Sequence, residues 1–429
     1  MSITNAMYAG VSGLSAESGA LGVIGDNVAN TNTVGYKQSR ALFEDVLGGA
    51  AGTTNALGAG VRMTRAQQIF AQGTLLTTGQ PTDLALSGDG FFVVHGTVDG
   101  LNGDFYTRAG QTKLDADGQL VNAQGLTLQG YQANPDGSIG STLGAVHVST
   151  AALPPKQTTS LDITANLDST AAPPANPWDP NDPAATSNFS TSMTVYDSVG
   201  NSHAVDIYFV NTGPGTWDYH AMAKGDDVTG GVPGTPSEIA GGQLTFTTDG
   251  ALQDAQLTTG GTVDWINATP GQTMAFNFGK PLAAGGTGLG GTTQFASPSA
   301  VSAQGQDGYA SGALSGIQVD PSGIVNGVYT NGQKIAVAQL AIAKFASNDG
   351  LGRMGHNLWA ATRESGEALL GAGGNGGRAS VTSGALEQSN VDIAGQFVDM
   401  ITHQRAFQAN SKTITTADEM LQNVVELKR

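Results

Sequence analysis

The side chains of this sequence that could perform chemistry are scattered rather than clustered. No two of its six histidines lie three to five residues apart, so no helix offers a histidine pair to a metal ion. There is no cysteine, which removes disulfides and thiolate ligands. Gly-x-Ser-x-Gly, His-Glu-x-x-His and Walker motifs are also missing. We therefore predict no catalytic residue, no metal ligand and no cofactor, and we expect that the protein is not an enzyme.

Two short motifs resemble ligand-binding loops but are better explained as turns. The segment "GDGFF" at 88–92 is rich in glycine, yet an apolar strand follows it where a phosphate site needs a helix N-terminus. The segment "DADG" at 115–118 resembles the start of a calcium loop but lacks the third acidic ligand and the distant glutamate. The sequence predicts a turn before a strand at the first motif and a hairpin turn at the second.

Two functions of other classes stay open on composition alone. A secreted polysaccharide hydrolase needs a pair of carboxylates in a cleft, and 35 acidic residues leave room for such a pair. A secreted β-rich adhesin would account for the high content of glycine and threonine. Neither function explains the patterns at the two ends of the chain.

The N-terminal segment has the spacing of a helix with one narrow apolar line. This line consists of Met7, Leu14, Leu21 and Val28, which follow one another at intervals of seven residues. Five glycines lie in the same segment, and each costs about 1 kcal/mol relative to alanine in a helix. We therefore expect this helix to be disordered in isolation and to order when the protein assembles.

The C-terminal segment repeats the pattern, and "SNVD" predicts a capped helix start near Ser389. Its apolar line, again with a spacing of seven, is Ile393, Met400, Phe407, Ile414 and Leu421. One line on each helix is half of a full coiled-coil seam. We therefore predict that these nine residues form an assembly interface and that many copies pack side by side.

The central part of the chain is predicted to form short strands joined by turns, and it is strongly acidic. Short alternating runs are separated by Asp-Gly and Asn-Gly turns, and the chain has 62 glycines and a mean hydropathy of −0.10. Between residues 114 and 333 there are 18 acidic and three basic residues. Since no basic patch could neutralise phosphates, we expect no binding to nucleic acid.

The sequence also shows no signal for a membrane. No stretch of 18 apolar residues occurs, so we expect no membrane insertion. The first basic residue is Lys37, and no basic segment leads into an apolar run at the N-terminus. We therefore expect export without a cleaved signal peptide.

Several long motifs, in order along the chain, resemble those of bacterial flagellar rod and hook proteins. The N-terminal motifs are "NVANTNTVGYKQSRALFEDVL" (27–47), "GQPTDLALSGDGFFVV" (79–94) and "YTRAGQTKLDADGQLVNAQGLTLQGY" (106–131). The C-terminal motif is "SGALEQSNVDIAGQFVDMITHQRAFQANSKTITTADEMLQNVVELKR" (383–429). Between them lies a large insertion in which "MTVYDSVGNSHAVDIYFV" (193–210) is similar to the outer domain of hook members. The distal rod protein is the alternative within the same family.

The resemblance implies a mixed α and β, multidomain fold in which terminal α-helices form a coiled coil and the middle and outer domains are β-rich, with hairpin or barrel-like sheets. The implied domains are a terminal helical domain (1–32 and 386–429), a linker or hairpin (33–75), a middle domain (76–155 and 299–385) and an outer domain (156–298).

The function that the resemblance implies is that of a structural subunit of a tubular hook, which transmits torque from rod to filament in motility. It implies a location in the hook and basal body of the flagellum, outside the cell. The implied partners are copies of the chain, the distal rod protein, the hook cap protein, the hook–filament junction protein and the flagellar type III export apparatus.

Overall fold

The computed structural model describes residues 3–48, 57–134 and 137–426. Within these ranges the chain is β-rich with a long helix near each terminus, which confirms the predicted mixed α and β, multidomain class. The helices are α1 (Ile3–Ala29), the four-residue α2 (Pro183–Thr186) and α3 (Ile393–Glu426), and two 3-10 turns occupy Leu282–Ala284 and Asn348–Gly350. No helix of the described residues is long and apolar enough to cross a membrane.

Local hydrogen bonds mark the end of the first long helix and the start of the second. Helix α1 ends at Ala29, and the next N–H, of Asn30, still donates to the carbonyl of Asp26 (3.1 Å) before the Asn- and Thr-rich loop follows. Helix α3 begins at Ile393, so the predicted start near Ser389 is wrong by four residues. The Asp392 carboxylate accepts the N–H of Ala394 at 3.1 Å and caps the helix instead.

The chain divides into two compact units. The first unit comprises Met1–Thr150, Ser315–Val328 and Lys334–Arg429, and the second comprises Ala151–Leu314 and Tyr329–Gln333. The strands that lie mainly in the first unit are β1 (Ser39–Gly48), β2 (Leu57–Gln68), β3 (Leu75–Thr77), β4 (Leu84–Ser87), β5 (Phe91–Val98), β6 (Leu101–Thr107), β7 (Thr112–Leu114), β8 (Leu120–Asn122), β9 (Thr127–Ala133), β10 (Ile139–Ala145), β21 (Leu314–Val319), β22 (Ile324–Tyr329), β23 (Lys334–Leu340), β24 (Ile342–Lys344), β25 (Gly352–Gly355), β26 (Leu358–Ala360), β27 (Leu369–Gly371), β28 (Ser380–Ser383) and β29 (Ala385–Glu387). The strands of the second unit are β11 (Ser160–Asn166), β12 (Phe189–Tyr196), β13 (Ser202–Gly213), β14 (Thr216–Lys224), β15 (Pro236–Phe246), β16 (Leu252–Gly260), β17 (Thr262–Val263), β18 (Gln272–Thr273), β19 (Ala275–Asn277) and β20 (Ala300–Gln306).

The first unit is built around a 13-stranded sheet whose longest path runs β21-β22-β23-β9-β5-β6-β26-β25. The "DADG" segment is a hairpin turn between β7 and β8, as predicted, and Gly118 takes the positive φ of 77° that the turn requires. The "GDGFF" segment leads directly into β5, which also confirms the sequence prediction. Beside the sheet, β1 and β2 form a separate antiparallel hairpin.

Aromatic side chains form the core of the first unit. The rings of Phe91 and Trp359 lie 5.5 Å apart, and Phe70 lies 5.5 and 5.7 Å from the same two rings. The rings of Tyr106 and Phe345 meet edge to face at 4.7 Å. This cluster fixes the sheet against which the segments next to both terminal helices pack.

The second unit has a five-stranded antiparallel sheet in the order β12-β13-β14-β15-β16 and a three-stranded sheet in the order β19-β11-β20. Alternate residues of β13 and β14 face one core, as the period of two requires. The largest side chains in this core are fully buried, namely Trp217, Trp265, Phe209 and Phe278. The proline-rich stretch before β12 is mainly loop, and its Trp178 stacks on His220 with ring centres 4.1 Å apart.

Candidate assembly surface

Helices α1 and α3 pack side by side in opposite directions, and small residues allow their close approach. A Cβ atom on Gly10 would lie 2.8 Å from Cγ1 of Ile414, and one on Gly13 would lie 2.6 Å from the Asn410 side chain. At either position a Cβ atom would force the facing side chain of α3 to move. The glycines that weaken the isolated helix therefore bring α3 close to α1 in the folded chain.

A row of mostly polar side chains on α3 faces α1. The side chains of this row also follow one another at intervals of seven and are Gln396, His403, Asn410 and Ala417. Nδ1 of His403 lies 2.5 Å from Oε2 of Glu17. At the other end of the pair, Nδ2 of the buried Asn27 donates to Oε1 of Gln396 at 2.9 Å. Polar pairs of this kind favour one axial register, because a shifted register would leave them unpaired.

None of the nine residues of the two predicted lines is fully buried in a single chain. The half-buried members are Met7, Leu14, Leu21, Val28, Met400, Ile414 and Leu421. Ile393 and Phe407 are 45% and 38% exposed. The buried side of α1 consists instead of Gly10, Gly13, Ala16, Ala20, Ile24 and Asn27. One chain therefore leaves part of both apolar lines accessible for further contacts, most of all at Ile393 and Phe407.

Helix α3 also exposes large apolar side chains beyond the predicted line. Phe397, Val398 and Ile401 are all exposed, and Phe397 and Ile401 continue the i, i+4 row that begins at Ile393. A helix that leaves such a row in water is stabilised when another surface covers it. We take this exposed row together with the nine predicted residues as the candidate assembly surface.

The β1–β2 hairpin covers another side of α1. The Ser12 hydroxyl accepts the N–H of Val61 at 3.2 Å, and a Cβ atom on Gly19 would lie 2.6 Å from Sδ of Met63. The ring of Phe43 lies 6.1 Å from the ring of His403. The hairpin therefore contacts both helices of the pair and helps to hold them together.

A buried cluster of charges connects the segments that follow α1 and precede α3. Nζ of Lys37 lies 2.6 Å from Oε1 of Glu387, and an Arg108 nitrogen lies 3.3 Å from Oε2 of the same carboxylate. Glu387 and Lys37 are fully buried, and Arg108 is almost so. Three distant parts of the sequence thus meet at one carboxylate, which fixes the bases of both helices against the sheet.

Backbone groups complete the partners of this cluster. Nζ of Lys37 donates to the carbonyl of Ala71 (2.8 Å), and Oε1 of Glu387 accepts the N–H of Gly73 (2.9 Å). Burial lowers the pKa of Lys37 and of Arg108, and the nearby Glu387 carboxylate opposes that shift. Removing the carboxylate would leave two buried cations without the group that contacts both, which is strongly unfavourable.

Two buried or half-buried asparagines join the same segments. Nδ2 and Oδ1 of Asn27 bond the carbonyl and the N–H of Ser39 at 2.6 and 2.8 Å. Asn390 accepts the N–H of Gln38 at 2.7 Å and donates to the carbonyls of Ile69 and Ala71. Sequence reasoning missed these residues because it followed apolar periodicity. Both asparagines lie inside the long motifs, and only 12% of the residues of the chain are charged. These two features of the sequence were the signal that could have pointed to them.

Four family models match consecutive parts of the chain. Residues 7–37 match the flagella basal body rod protein model, and residues 85–166 match the flagellar hook protein FlgE/F/G D1 domain. Residues 166–309 match the flagellar basal body protein FlaE D2 domain, and residues 382–427 match the flagellar basal body rod FlgEFG protein C-terminal model. The matches therefore include both terminal helices and most of the second unit.

Similar full-length proteins carry the name flagellar hook protein FlgE. The Salmonella typhimurium protein is 36% identical over 422 residues, which cover 97% of this chain and 98% of the relative. The Treponema pallidum protein is 34% identical over 470 residues, with 99% of each chain covered. In fold, the crystal structure of Helicobacter pylori flagellar hook protein FlgE2 matches 73% of this chain and all of its own with a TM-score of 0.53, at 15% identity.

Proposed function

This chain belongs to the bacterial flagellar hook protein family, and we propose from that premise that it self-assembles into the tubular, helical universal joint that transmits torque from rod to filament. The family is a structural one rather than an enzyme family. The single observation that carries the proposal is that α3 leaves Ile393, Phe397, Ile401 and Phe407 exposed beside α1.

The terminal helices are the proposed inner part of the assembly, where they form a coiled coil. The polar row of α3 faces α1 within one chain, so the exposed parts of the apolar line can meet neighbouring copies. The proposed interface consists of Met7, Leu14, Leu21 and Val28 of α1 and of Ile393, Met400, Phe407, Ile414 and Leu421 of α3. Covering these side chains in a polymer removes apolar surface from water in every subunit, which favours assembly.

The wider organisation is part of the same proposal. Its domains are the terminal helical domain (1–32 and 386–429), the linker or hairpin (33–75), the middle domain (76–155 and 299–385) and the outer domain (156–298). Beyond copies of itself, the chain is proposed to contact the distal rod protein, the hook cap protein and the hook–filament junction protein. The flagellar type III export apparatus is proposed to deliver it to the hook, outside the cell.

A charge at Phe407 tests the proposal most simply. Because Phe407 is already 38% exposed in one chain, Phe407→Asp should leave the monomer folded, with nearly unchanged melting. In a polymer the same carboxylate would be buried without a partner in every subunit, so no tubes should form. Electron microscopy of concentrated protein, together with motility of cells that carry the variant, gives the readout.

The matched control is Gln404→Glu, one turn away on an exposed part of the same helix. It also adds a carboxylate, but outside the apolar line, so tubes of normal appearance are expected. Normal tubes from Phe407→Asp, or their loss in Gln404→Glu alone, would show that the apolar line is not the interface.

A further inference from the structure

A cleft of about 400 Å³ opens on the five-stranded sheet of the second unit, on the side opposite the aromatic core. Along β13 the side chains alternate, so that Ile207 faces the core while Asp206 and Tyr208 face the cleft. Its size is within the range of small-molecule sites, which is about 300–1,000 Å³. This cleft plays no part in the proposed assembly surface.

Three polar groups around the cleft have no partner among the described residues. They are the half-buried Asp206 carboxylate, the Tyr208 hydroxyl and the Lys224 ammonium, none of which forms a hydrogen bond or ion pair within the described part of the chain. Burial and then the nearby Asp206 carboxylate raise the pKa of Tyr208, so its hydroxyl keeps its proton. The cleft therefore contains one free acceptor, the Asp206 carboxylate, and two free donors, the Tyr208 hydroxyl and the Lys224 ammonium. The carboxylate and the ammonium carry opposite charges.

The walls of the cleft are held by the fold. The N–H of Gly225 donates to the carbonyl of Thr235 at 3.0 Å, and the Asp226 carboxylate accepts the N–H of Gly234 at 3.2 Å. These bonds fix the β14–β15 connection that forms one rim. Met222, only 2% exposed, contributes to the apolar lining. A bound molecule would therefore meet a formed surface rather than a loop that it must first order.

An aromatic side chain next to free acceptors and donors is suited to a particular ligand chemistry. The ring of Tyr208 is supported by Trp178, with ring centres 5.8 Å apart. A sugar ring presents C–H groups on its face, which pack on an aromatic ring, and hydroxyls at its edge, which both donate and accept. We propose that this cleft binds a neutral saccharide unit, with Tyr208 under the sugar ring, Asp206 accepting from its hydroxyls and Lys224 donating to them.

The charges of the cleft favour a neutral ligand over an ionic one. The carboxylates of Asp206 and Asp226 outnumber the Lys224 ammonium and would repel an anion, whereas a simple cation would be attracted by the carboxylates and repelled by the ammonium. A zwitterion could pair with both signs, but Lys224 is exposed, and exposed ion pairs contribute little in water. This binding function is additional to assembly of the hook and does not depend on it.

Saturation-transfer NMR on the full-length protein tests the proposal. The probes are the methyl glycosides of glucose, galactose and mannose, N-acetylglucosamine and, as an ionic ligand with two ammonium groups and one carboxylate, L-lysine. We expect saturation transfer to at least one saccharide, and a loss of affinity of roughly tenfold in Asp206→Asn, because a hydrogen bond to a charged acceptor is weakened. The matched control is Asp218→Asn on the next strand, whose carboxylate already accepts from Gln243 at 2.9 Å and lies outside the cleft lining; its affinity should be unchanged.

The same measurements can overturn the proposal. Absence of transfer to all four saccharides, transfer to lysine alone, or saccharide binding that Asp206→Asn and Asp218→Asn weaken equally would each exclude a saccharide site in this cleft. Melting curves of both variants show whether they fold. If Asp206→Asn does not fold, Lys224→Met serves as the test variant, with the same loss expected.

Discussion

The second unit and the terminal helix pair bury different kinds of side chain. In the second unit, large apolar side chains such as Trp217, Trp265 and Phe209 are fully buried between two sheets. Between α1 and α3, glycine, alanine and polar side chains make most of the close contacts, with Ile414 against Gly10, and Ile24 is the largest apolar side chain of α1 that is buried. The hydrophobic effect therefore stabilises the second unit within one chain, whereas the helix pair gains much less from burial until other copies cover it.

The second unit and the helix pair therefore differ in what stabilises them. A unit with a complete core holds its shape without partners. A helix pair with exposed apolar rows is stabilised further when another surface covers those rows. The buried Lys37–Glu387–Arg108 cluster lies within the first unit, where it anchors the bases of both helices to the sheet.

Loss of the cluster carboxylate should have the largest effect on stability. Glu387→Gln would leave Lys37 and Arg108 buried without the carboxylate that contacts both, which should cost about 3–5 kcal/mol. The free energy of unfolding of the first unit, measured by urea denaturation, checks this. Glu367→Gln makes the same chemical change at an exposed position of that unit and should stay within about 0.5 kcal/mol of the parent. Equal effects of the two variants would show that the buried cluster does not stabilise the first unit.

The core of the second unit gives the next largest effect. Leu244→Ala removes a fully buried side chain and should destabilise that unit by about 2–5 kcal/mol. Leu257→Ala, on the adjacent strand β16 but 53% exposed, should cost far less. Tryptophan fluorescence follows the transition, because Trp217 and Trp265 lie in the same core. If both variants melt alike, the second unit is not stabilised by its apolar core.

The structure also predicts that acid weakens the second unit. Burial opposes the ionisation of Asp307, but hydrogen bonds from the Thr159 hydroxyl and from the N–H groups of Thr159 and Ser160, together with Lys156, hold its pKa well below the usual range. A carboxyl whose pKa is lowered by folding stabilises the protein above its unfolded pKa of about 3.9, and this contribution is lost as the pH falls further.

The measurement is the urea midpoint of the second unit at pH 7 and at pH values below 4. The midpoint should fall on acidification, and the fall should be smaller in Asp307→Asn, which has already lost the charge. Asp249→Asn, at an exposed position, should behave as the parent. An unchanged fall in Asp307→Asn would assign the acid sensitivity to other groups.

The sequence predicted the elements of this fold better than their contacts. A period of seven identified both terminal helices, and Asp-Gly turns marked the hairpins. The predicted start of α3 was four residues early, because the Ser389 motif has the composition of a cap while Asp392 makes the capping bond. Periodicity counts apolar positions, so it passed over the polar row that includes Gln396 and His403.

The buried cluster could not be found from local pattern. Lys37 and Glu387 lie 350 residues apart, and neither stands in a charged or apolar repeat. Only the packing of β3 and β29 beside the sheet brings them together. Burial of a whole ion pair depends on tertiary structure, and no local rule of composition predicts it.

Removing most of the second unit should have the smallest effect on assembly. Lys156 and Tyr309 pair through two backbone hydrogen bonds of 3.0 and 2.9 Å, so a two-residue turn can join them once 157–308 are deleted. The shortened chain should still form tubes in electron micrographs, although straighter or less stable ones. Complete loss of polymer would mean that the second unit is required for assembly.

Hydrogen exchange of the terminal helices shows whether neighbouring copies stabilise the helix pair. If neighbouring copies complete the helix pair, amides of residues 3–29 and 393–426 exchange rapidly in dilute monomer and become protected in assembled tubes. The amides of the second-unit strands should be protected in both states. Strong protection of both helices in the dilute monomer, with no gain on assembly, would show that the helix pair is already complete within one chain.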